Sequence, residues 1–407
     1  MTKKPATATV RSVDSAPGKS PHFIGRAART LGSLTRETLA TIRAGSSMTY
    51  QKGEDWIVGA KRAVYGLAVA RMLIAIMFIG TALSNWSTRN YTFGPGVAWS
   101  GQIQFPASSF ATIWPFSLVT GAAHNSTAVT LVFVSLIVCS ILFGIGYRSR
   151  LVMFPLFVLW VGMVNMDLYV QDQSDNLSRM AMISMFFTAP AQVWSVDAWR
   201  RRRFVENPND NFLRKLWRFQ PVLPTWVTNI FHNFAIVIIG AQLCMVYASG
   251  GLFKAGGLPW QNGTAIYAPI HTRQFGTWPV LTDIVTAWGP MVALGTIGTV
   301  LVQVAFPLML LRRGTRILAL VTIFGFHVVI AVLMGLPWFS VSMLAFDAIF
   351  IRDITWAGMG AAVVAAWRRT GQKSVSRSPG GGASGADGRA GGVLAGSGRA
   401  APPPESS

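Results

Sequence analysis

The chain has 407 residues, of which 51% are hydrophobic and only 12% are charged. That charged share is about half of the ~25% usual in soluble domains, so the composition excludes a soluble fold and predicts an all-α integral membrane protein. Lys and Arg outnumber Asp and Glu by 35 to 15, which gives a formal charge of +20. Because the basic residues stand mainly at the ends of apolar runs, this charge predicts contact with the lipid bilayer and no nucleic-acid partner.

Charge-poor runs predict a polytopic bundle of about eight transmembrane helices, since a helix needs ~20 apolar residues to cross a ~30 Å hydrocarbon layer. The runs cover residues 64–86, 127–146, 151–166, 177–196, 228–249, 284–311 and, divided at Gly335-Leu336-Pro337, 317–351. A later apolar run at 354–367 is short and rich in glycine, which predicts an interfacial or re-entrant segment, with a ninth span as the alternative.

The basic residues predict the orientation of these helices. Every second loop is rich in Arg and Lys, the densest being 200–218, whereas the alternate loops carry only Arg89, Lys254 and Arg273. The positive-inside rule places the basic loops in the cytoplasm. It follows that both termini are cytoplasmic and that the chain is a multi-pass protein of the cell membrane.

Composition divides the chain into four segments. Residues 1–62 form a basic cytoplasmic segment that is either disordered or, around 23–43, an amphipathic helix on the membrane. Residues 63–352 form the transmembrane domain, and residues 353–369 form the interfacial or re-entrant segment. Residues 370–407 are rich in Gly, Ala, Ser and Pro, which predicts a disordered tail.

Ionisable residues at membrane depth are candidates for function. Arg71 and Asp347 lie at similar inner depths of their predicted spans, and a structural ion pair between them would neutralise both charges. Asp175 and Arg179 are four residues apart and therefore share a helix face near the outer end of the fourth span. They form either a local ion pair that orders the loop or a contact for an anion or substrate at the outer mouth.

Lys254 lies between two Gly-Gly pairs, on the outer side just after the fifth predicted span. Glycine allows a ligand or another backbone to approach closely. A lysine desolvated in such a niche, with no carboxylate adjacent in sequence, can act as a base, and an interfacial lysine beside the Trp260 anchor is the alternative. His327 lies in the outer half of its span, within reach of a cavity that opens outward. The histidines lack ligand spacing and both cysteines lie in apolar runs, so no metal site is predicted.

Six short motifs follow one another along the chain: Ala70-Arg71-Met72, the Gly-Ile-Gly-Tyr-Arg-Ser-Arg run at 144–150, Ser174-Asp175-Asn176, the Trp-Ser-Val-Asp run at 194–197, the segment from Lys254 to Gly263, and Phe326-His327 followed by Gly335-Leu-Pro-Trp338. In this order the chain, from about residue 63 to about residue 351, resembles the HTTM family, the membrane domain shared with vitamin K-dependent gamma-carboxylase. The resemblance implies a vitamin K-like quinone as cofactor and Lys254 as the base that deprotonates its hydroquinone on the outer side. Under this interpretation the candidate substrate-binding residues are Asp172, Asp175, Asn176, Arg179, His271, Arg273 and His327.

The chain departs from the carboxylase pattern in three places. Ser174-Asp175-Asn176 stands where the carboxylase has a histidine, and Ile330 replaces an asparagine. A Gly/Ala tail stands in place of the folded extension that helps to hold the protein substrate. Two functions therefore stay open: a gamma-carboxylase-related membrane enzyme that acts on a quinol or another lipid-soluble substrate, and a non-enzymatic accessory protein that binds or matures a secreted peptide or a membrane partner.

Overall fold

The computed structural model describes residues 51–96, 112–167, 170–203, 211, 214–215 and 223–376. The predicted amphipathic stretch at 23–43 and residues 377–407 of the predicted tail lie outside these residues, whereas residues 370–376, predicted as part of that tail, are helical. By its internal contacts the chain divides into two compact units, Met1–Ala357 and Gly358–Ser407. All the candidate site residues belong to the first unit.

The regular secondary structure of the described residues is helical throughout. The longer helices are α1 (Val64–Ser84), α2 (Ser126–Ile145), α3 (Ser149–Val164), α4 (Gln173–Met185), α5 (Val196–Arg203), α6 (Thr225–Ala255), α7 (Gly289–Met309), α8 (Arg313–Leu333), α9 (Pro337–Asp347) and α10 (Asp353–Ser376). Shorter helices lie in the connections, at Arg89–Thr92, Phe116–Gly121, Leu258–Gln261, Tyr267–Ile270 and Pro279–Thr286. Residues 51–58 are also helical.

Five of these helices, α1, α2, α6, α7 and α8, are long and apolar enough to cross a membrane. The pair Pro337–Phe350 and Asp353–Arg369 passes the same test together but is bent by 112°, as in a broken span or a re-entrant loop. The predicted all-helical membrane architecture is thus confirmed, with five such helices or six if the bent pair is one span. The segment predicted at 353–369 is helical and continues to Ser376.

Two predicted span boundaries are wrong. The run 177–196 is not one helix, because α4 ends at Met185 and the chain then turns towards Pro190, while the Ala189 N–H donates to the His232 side chain. The span predicted at 228–249 is too short, because α6 continues past residue 249 to Ala255. Lys254 therefore lies in the last turn of α6 and not in a loop. The break predicted at Gly335-Leu336-Pro337 is confirmed, since α8 ends at Leu333 and α9 begins at Pro337.

Helix α1 lies at the centre of the bundle. About three fifths of its apolar stretch, 61%, is buried by other parts of the protein, against 22% for α7 and for α8. The Phe78 ring of α1 lies 4.2 Å from the Trp160 ring of α3, measured between centroids. The Trp338 indole N–H of α9 donates to the Ser84 hydroxyl of α1 at 2.8 Å. Helices α7 and α8 therefore offer most of their apolar surface to the surroundings, as lipid-facing helices do.

The end of the bundle at which α1 begins is called the basal end. There, carboxylates from distant parts of the sequence accept hydrogen bonds from residues at the start of α1 and α3. The first N–H groups of a helix lack partners within that helix. At α1 they donate to Asp353, from Val64 at 3.3 Å and from Tyr65 at 2.9 Å. At α3, Asp197 accepts from the backbone N–H groups of Arg148 and Ser149. The opposite end, where α6 and α8 finish, is called the apical end.

Candidate functional site

Lys254 is held at the apical end by the packing of α6 against α7. Its Nζ donates to Gln303 Oε1 at 3.1 Å and to the Gly250 carbonyl at 3.4 Å. The same nitrogen lies 5.6 Å from the centroid of the Trp260 ring. The two helices come this close because residue 251 is glycine, where a Cβ would lie 2.9 Å from the Val304 backbone nitrogen. Both oxygen acceptors are neutral, so the described surroundings of this amine are polar but carry no bonded carboxylate.

Below Lys254, three helices bring together a fully buried tyrosine, histidine and aspartate. The Tyr247 hydroxyl donates to Asp347 Oδ2 at 2.8 Å, and its oxygen lies 3.2 Å from His327 Nε2. The exposed fractions are 2% for Tyr247, 1% for His327 and 5% for Asp347. Tyr247 precedes Lys254 by seven residues, which is two turns and about 10 Å along α6. The two groups therefore lie at different depths on the same side of one helix.

The hydrogen bonds assign the protons in this cluster, which we call the Tyr-His-Asp cluster. A phenol has one hydrogen, and while Asp347 is a carboxylate, which can only accept, the Tyr247 hydrogen points to it. The His327 ring must then donate from Nε2 to the Tyr247 oxygen, which leaves the lone pair on Nδ1. His327 Nδ1 and Asp347 Oδ1 are both buried and have no hydrogen-bond partner among the described residues.

The predicted ion pair between Arg71 and Asp347 is not formed. Helices α1 and α9 do pack together, but their two side chains point to different neighbours. Arg71 Nη2 donates to the Trp194 carbonyl at 2.6 Å, while Asp347 accepts from Tyr247. The guanidinium packs against Gly146, whose φ is +72° and where a side chain would overlap it. Arg71 thus joins the basal turns, and Asp347 faces α6 and α8.

Four of the predicted substrate-binding residues do come together, in an apical pocket between α3 and α4. Asp172, Asp175, Asn176 and Arg179 line it, and the other lining residues are Trp160, Val161, Val164, Asn165 and Gln171. It holds about 50 Å³ of space that a water-sized molecule can reach. Lys254 does not line this pocket.

Hydrogen bonds within the apical pocket begin helix α4. Asp172 accepts from the Ser174 N–H at 2.7 Å, and Asp175 accepts in return from the Asp172 N–H at 2.8 Å, which is a capping box. Arg179 Nη2 donates to Asn176 Oδ1 at 2.7 Å. Burial, followed by the negative charge of Asp172, raises the pKa of Asp175 to about 7, against the opposing attraction of Arg179. The local role predicted for Asp175 and Arg179 is compatible with this arrangement, and their role in binding stays a prediction.

His271 and Arg273 occupy a different apical surface. The His271 ring stacks on Tyr267 with 4.2 Å between centroids, and its Nε2 lies 3.4 Å from Asp283 Oδ1. Arg273 is exposed. In the described part of the chain neither side chain has a contact with Lys254. The residues predicted to line one pocket therefore lie at separate places.

Sequence reasoning missed a polar cluster at the basal end of α6. Asn233 Nδ2 lies 2.8 Å from the carbonyls of both Ile57 and Ala60, and Asn233 Oδ1 accepts from the Arg62 N–H. His232 Nδ1 accepts from the Ala189 N–H, so its Nε2 carries the hydrogen and donates to the Arg62 carbonyl. The signal was present: Asn229, His232 and Asn233 have the spacing i, i+3, i+4 of one helix face within an apolar run.

No family model, curated protein or solved structure matches this chain. The structure does bring three of the separated motifs together. Arg71 reaches the Trp194 carbonyl, and Asp197 binds the turn at 146–149. The resemblance to the HTTM family thus stays a prediction that rests on motifs and on their order.

Proposed function

We propose that this chain is an HTTM-like membrane enzyme in which Lys254 removes a proton from the O–H group of a lipid-soluble quinol at the outer membrane surface. The observation that carries the proposal is the environment of Lys254. Its amine is held in place by Gln303 and the Gly250 carbonyl, and no described carboxylate is bonded to it.

The proposal includes eight transmembrane segments with both termini in the cytoplasm of the cell. Support comes from the helices between residues 64 and 350, which include α3 and α4 besides the longer spans. Basic residues crowd the connections at the basal end, as in α5 with its four consecutive arginines. The positive-inside rule then makes the basal end cytoplasmic and gives Lys254 an external position.

A lipid-soluble substrate could reach Lys254 from the bilayer. Phe253 is 87% exposed and Leu258 is 70% exposed, so the chain on both sides of the lysine offers apolar surface. Trp260 adds a flat aromatic face close to the amine. This combination of apolar surface, an aromatic wall and one positioned polar group is typical of sites for apolar ligands.

These residues fit a quinone. Trp260 and Phe253 would hold the ring and tail, and Lys254 would meet the polar edge. A bound hydroquinone supplies acidic phenolic O–H groups and electrons that oxygen can accept. In its neutral form Lys254 Nζ would take one proton, and the resulting ammonium keeps its bonds to Gln303 Oε1 and the Gly250 carbonyl. The nearby indole face stabilises a cation as well. A positioned general base contributes about 10²–10⁴-fold to a rate.

The test uses full-length protein in liposomes with menadiol, a reduced naphthoquinone, under air. Oxidation of one menadiol should yield one menadione and, from one oxygen molecule, one hydrogen peroxide. Lys254→Ala should lower the protein-dependent rate about 100-fold or more, the low end expected for loss of a base. Lys254→Arg should do the same, because arginine keeps the charge but cannot give up its proton.

Lys52→Ala is the matched control, because that lysine is exposed and belongs to the helical stretch 51–58. Its rate should equal that of the wild type. A wild-type rate in Lys254→Ala would refute the role of Lys254. Wild-type protein that is no faster than empty liposomes would refute quinol chemistry altogether.

A further inference from the structure

We infer that Tyr247, His327 and Asp347 form a buried proton-exchange site, with Asp347 as the group that stores the proton. No role was assigned to this combination by the sequence. It stands on the geometry of the cluster and does not depend on Lys254 being a base.

The first argument is charge. Asp347 is 5% exposed in a helix pair that is apolar enough to lie in a membrane. A carboxylate there is costly unless a cation compensates it. Its only hydrogen-bond partner among the described residues is the neutral Tyr247 hydroxyl. A proton on the carboxyl group removes the uncompensated charge.

The neighbouring helices provide no described cation in contact with Asp347. On α6 the titratable neighbours are Tyr247 and Cys244, with Lys254 two turns beyond and bonded to Gln303. On α8 the neighbour is His327, and on α1 the nearest charged residue, Arg71, is bonded to Trp194. Helix α7 contributes Phe306, whose ring packs against that of Tyr247 at an inclination of 57°, with 4.6 Å between centroids. Helix α4 contributes the neutral Ser178, which is bonded to Ser342 of α9.

The second argument is the pair of unpartnered atoms. His327 Nδ1 carries a lone pair, and Asp347 Oδ1 is a free acceptor at the other end of the cluster. Buried polar atoms are almost always hydrogen-bonded. Two unpartnered atoms in one hydrogen-bonded chain therefore indicate a species that binds there and dissociates again. A proton is the smallest such species and needs no cavity.

The geometry allows transfer without a net change in the intermediate groups. A proton that arrives at His327 Nδ1 lets the Nε2 proton move to the Tyr247 oxygen, and the Tyr247 proton then moves to Asp347 Oδ2. The bonds formed are Nδ1–H, Tyr O–H and Asp O–H, and the bonds broken are Nε2–H and the first Tyr O–H. The site gains one proton, His327 and Tyr247 end neutral, and Asp347 changes from carboxylate to carboxylic acid.

Infrared spectroscopy of the full chain in vesicles tests this inference. The wild type at neutral pH should show a carboxylic-acid C=O stretch that shifts in deuterated water. Because Asp175 also has a pKa of about 7, the Asp347 component is isolated in an Asp175→Asn background, where Asp347→Asn should abolish the remaining band. Asp283→Asn is the matched control, because that side chain is 74% exposed at the apical end. It should leave the band intact.

Tyr247→Phe and His327→Gln test the relay and guard against misfolding of the Asp347 variant. Both should keep the band, yet slow its hydrogen–deuterium exchange about tenfold, the effect expected from losing one hydrogen bond of the chain. Unchanged exchange in both variants would overturn the relay. Absence of the band in the wild type, or its loss when sodium chloride replaces choline chloride at constant pH, would overturn the proton as the bound species.

Discussion

Removal of the Asp197 side chain should destabilise the protein more than removal of any exposed carboxylate. Asp197 accepts three hydrogen bonds: from the Arg148 N–H at 2.8 Å, from the Ser149 N–H at 3.0 Å and from the Ser149 hydroxyl at 3.2 Å. Its exposed fraction is 3%. Asp197→Ala therefore leaves two N–H groups at the start of α3, one buried and one partly buried, without their acceptor.

The magnitude follows from these bonds. Loss of an N-cap costs about 0.5–2 kcal/mol, and each hydrogen bond to a charged group contributes about 1.5–3 kcal/mol, although such losses are not additive. The free energy of unfolding should fall by about 3 kcal/mol in Asp197→Ala. Asp197→Asn keeps one acceptor oxygen but turns an N–H donor towards the helix start, and should lose about half as much.

Reversible unfolding in mixed micelles, followed by helical circular dichroism, measures these free energies. Asp283→Ala serves as control and should change the unfolding free energy by less than about 0.5 kcal/mol, as exposed substitutions usually do. If Asp197→Ala unfolded within that same margin of the wild type, the capping of α3 by a distant carboxylate would be refuted as a stabilising contact.

Three further predictions use the same assay or a simple extension of it. Burial raises the pKa of Asp175 from 3.8 to about 7, so between these pH values the folded protein holds a proton that the unfolded chain has lost. The stabilisation from this proton is complete below pH 3.8 and is lost as the pH rises through 7, so the free energy of unfolding should fall over that interval. Asp175→Asn should abolish this part of the pH dependence. Asn233→Ala breaks the bonds to residues 57–62 and should lower the unfolding free energy by about 2–4 kcal/mol, with trypsin cutting at Arg62 faster than in the wild type; equal cutting rates would contradict the role of Asn233. Gly146→Ala places a side chain where φ is +72° and where Arg71 packs, and a loss of about 2 kcal/mol or more is expected; full stability would show that the guanidinium can move away.

The sequence was sufficient for the class of fold and for several boundaries. Charge-free runs predicted helices at 127–146 and 284–311, and the structure has Ser126–Ile145 for the first run. Gly289–Met309 covers most of the second run, whose first residues lie in the separate helix Pro279–Thr286. Hydropathy works here because a helix satisfies its own backbone hydrogen bonds and needs only apolar side chains. It failed after Met185, where one N–H that leaves the helix finds its acceptor in His232, far along the chain.

The candidate site was predictable residue by residue but not as an arrangement. Depth along a helix follows from the number of residues, so Arg71 and Asp347 were predicted at membrane depth, and the structure has both side chains buried. Direction around the helix axis depends on neighbours that the sequence does not reveal, and the two side chains point apart. Tyr247 was overlooked for a related reason: a tyrosine in an apolar run is ordinary until a carboxylate and a histidine are placed beside its hydroxyl.

Helix α6 connects the polar features of the bundle. Asn233, Gly240, Tyr247 and Lys254 are spaced by seven residues, and the interval from the first to the last spans about 30 Å, the thickness of the hydrocarbon layer. A straight helix rotates such positions by ~20° per heptad, or about 60° over three. Along this helix Asn233 meets the segment at 57–62, Tyr247 meets α8 and α9, and Lys254 is bonded to Gln303 of α7. One helix can thus position a basal contact, a buried proton site and an apical amine at three depths, while side chains such as Phe253 face outward.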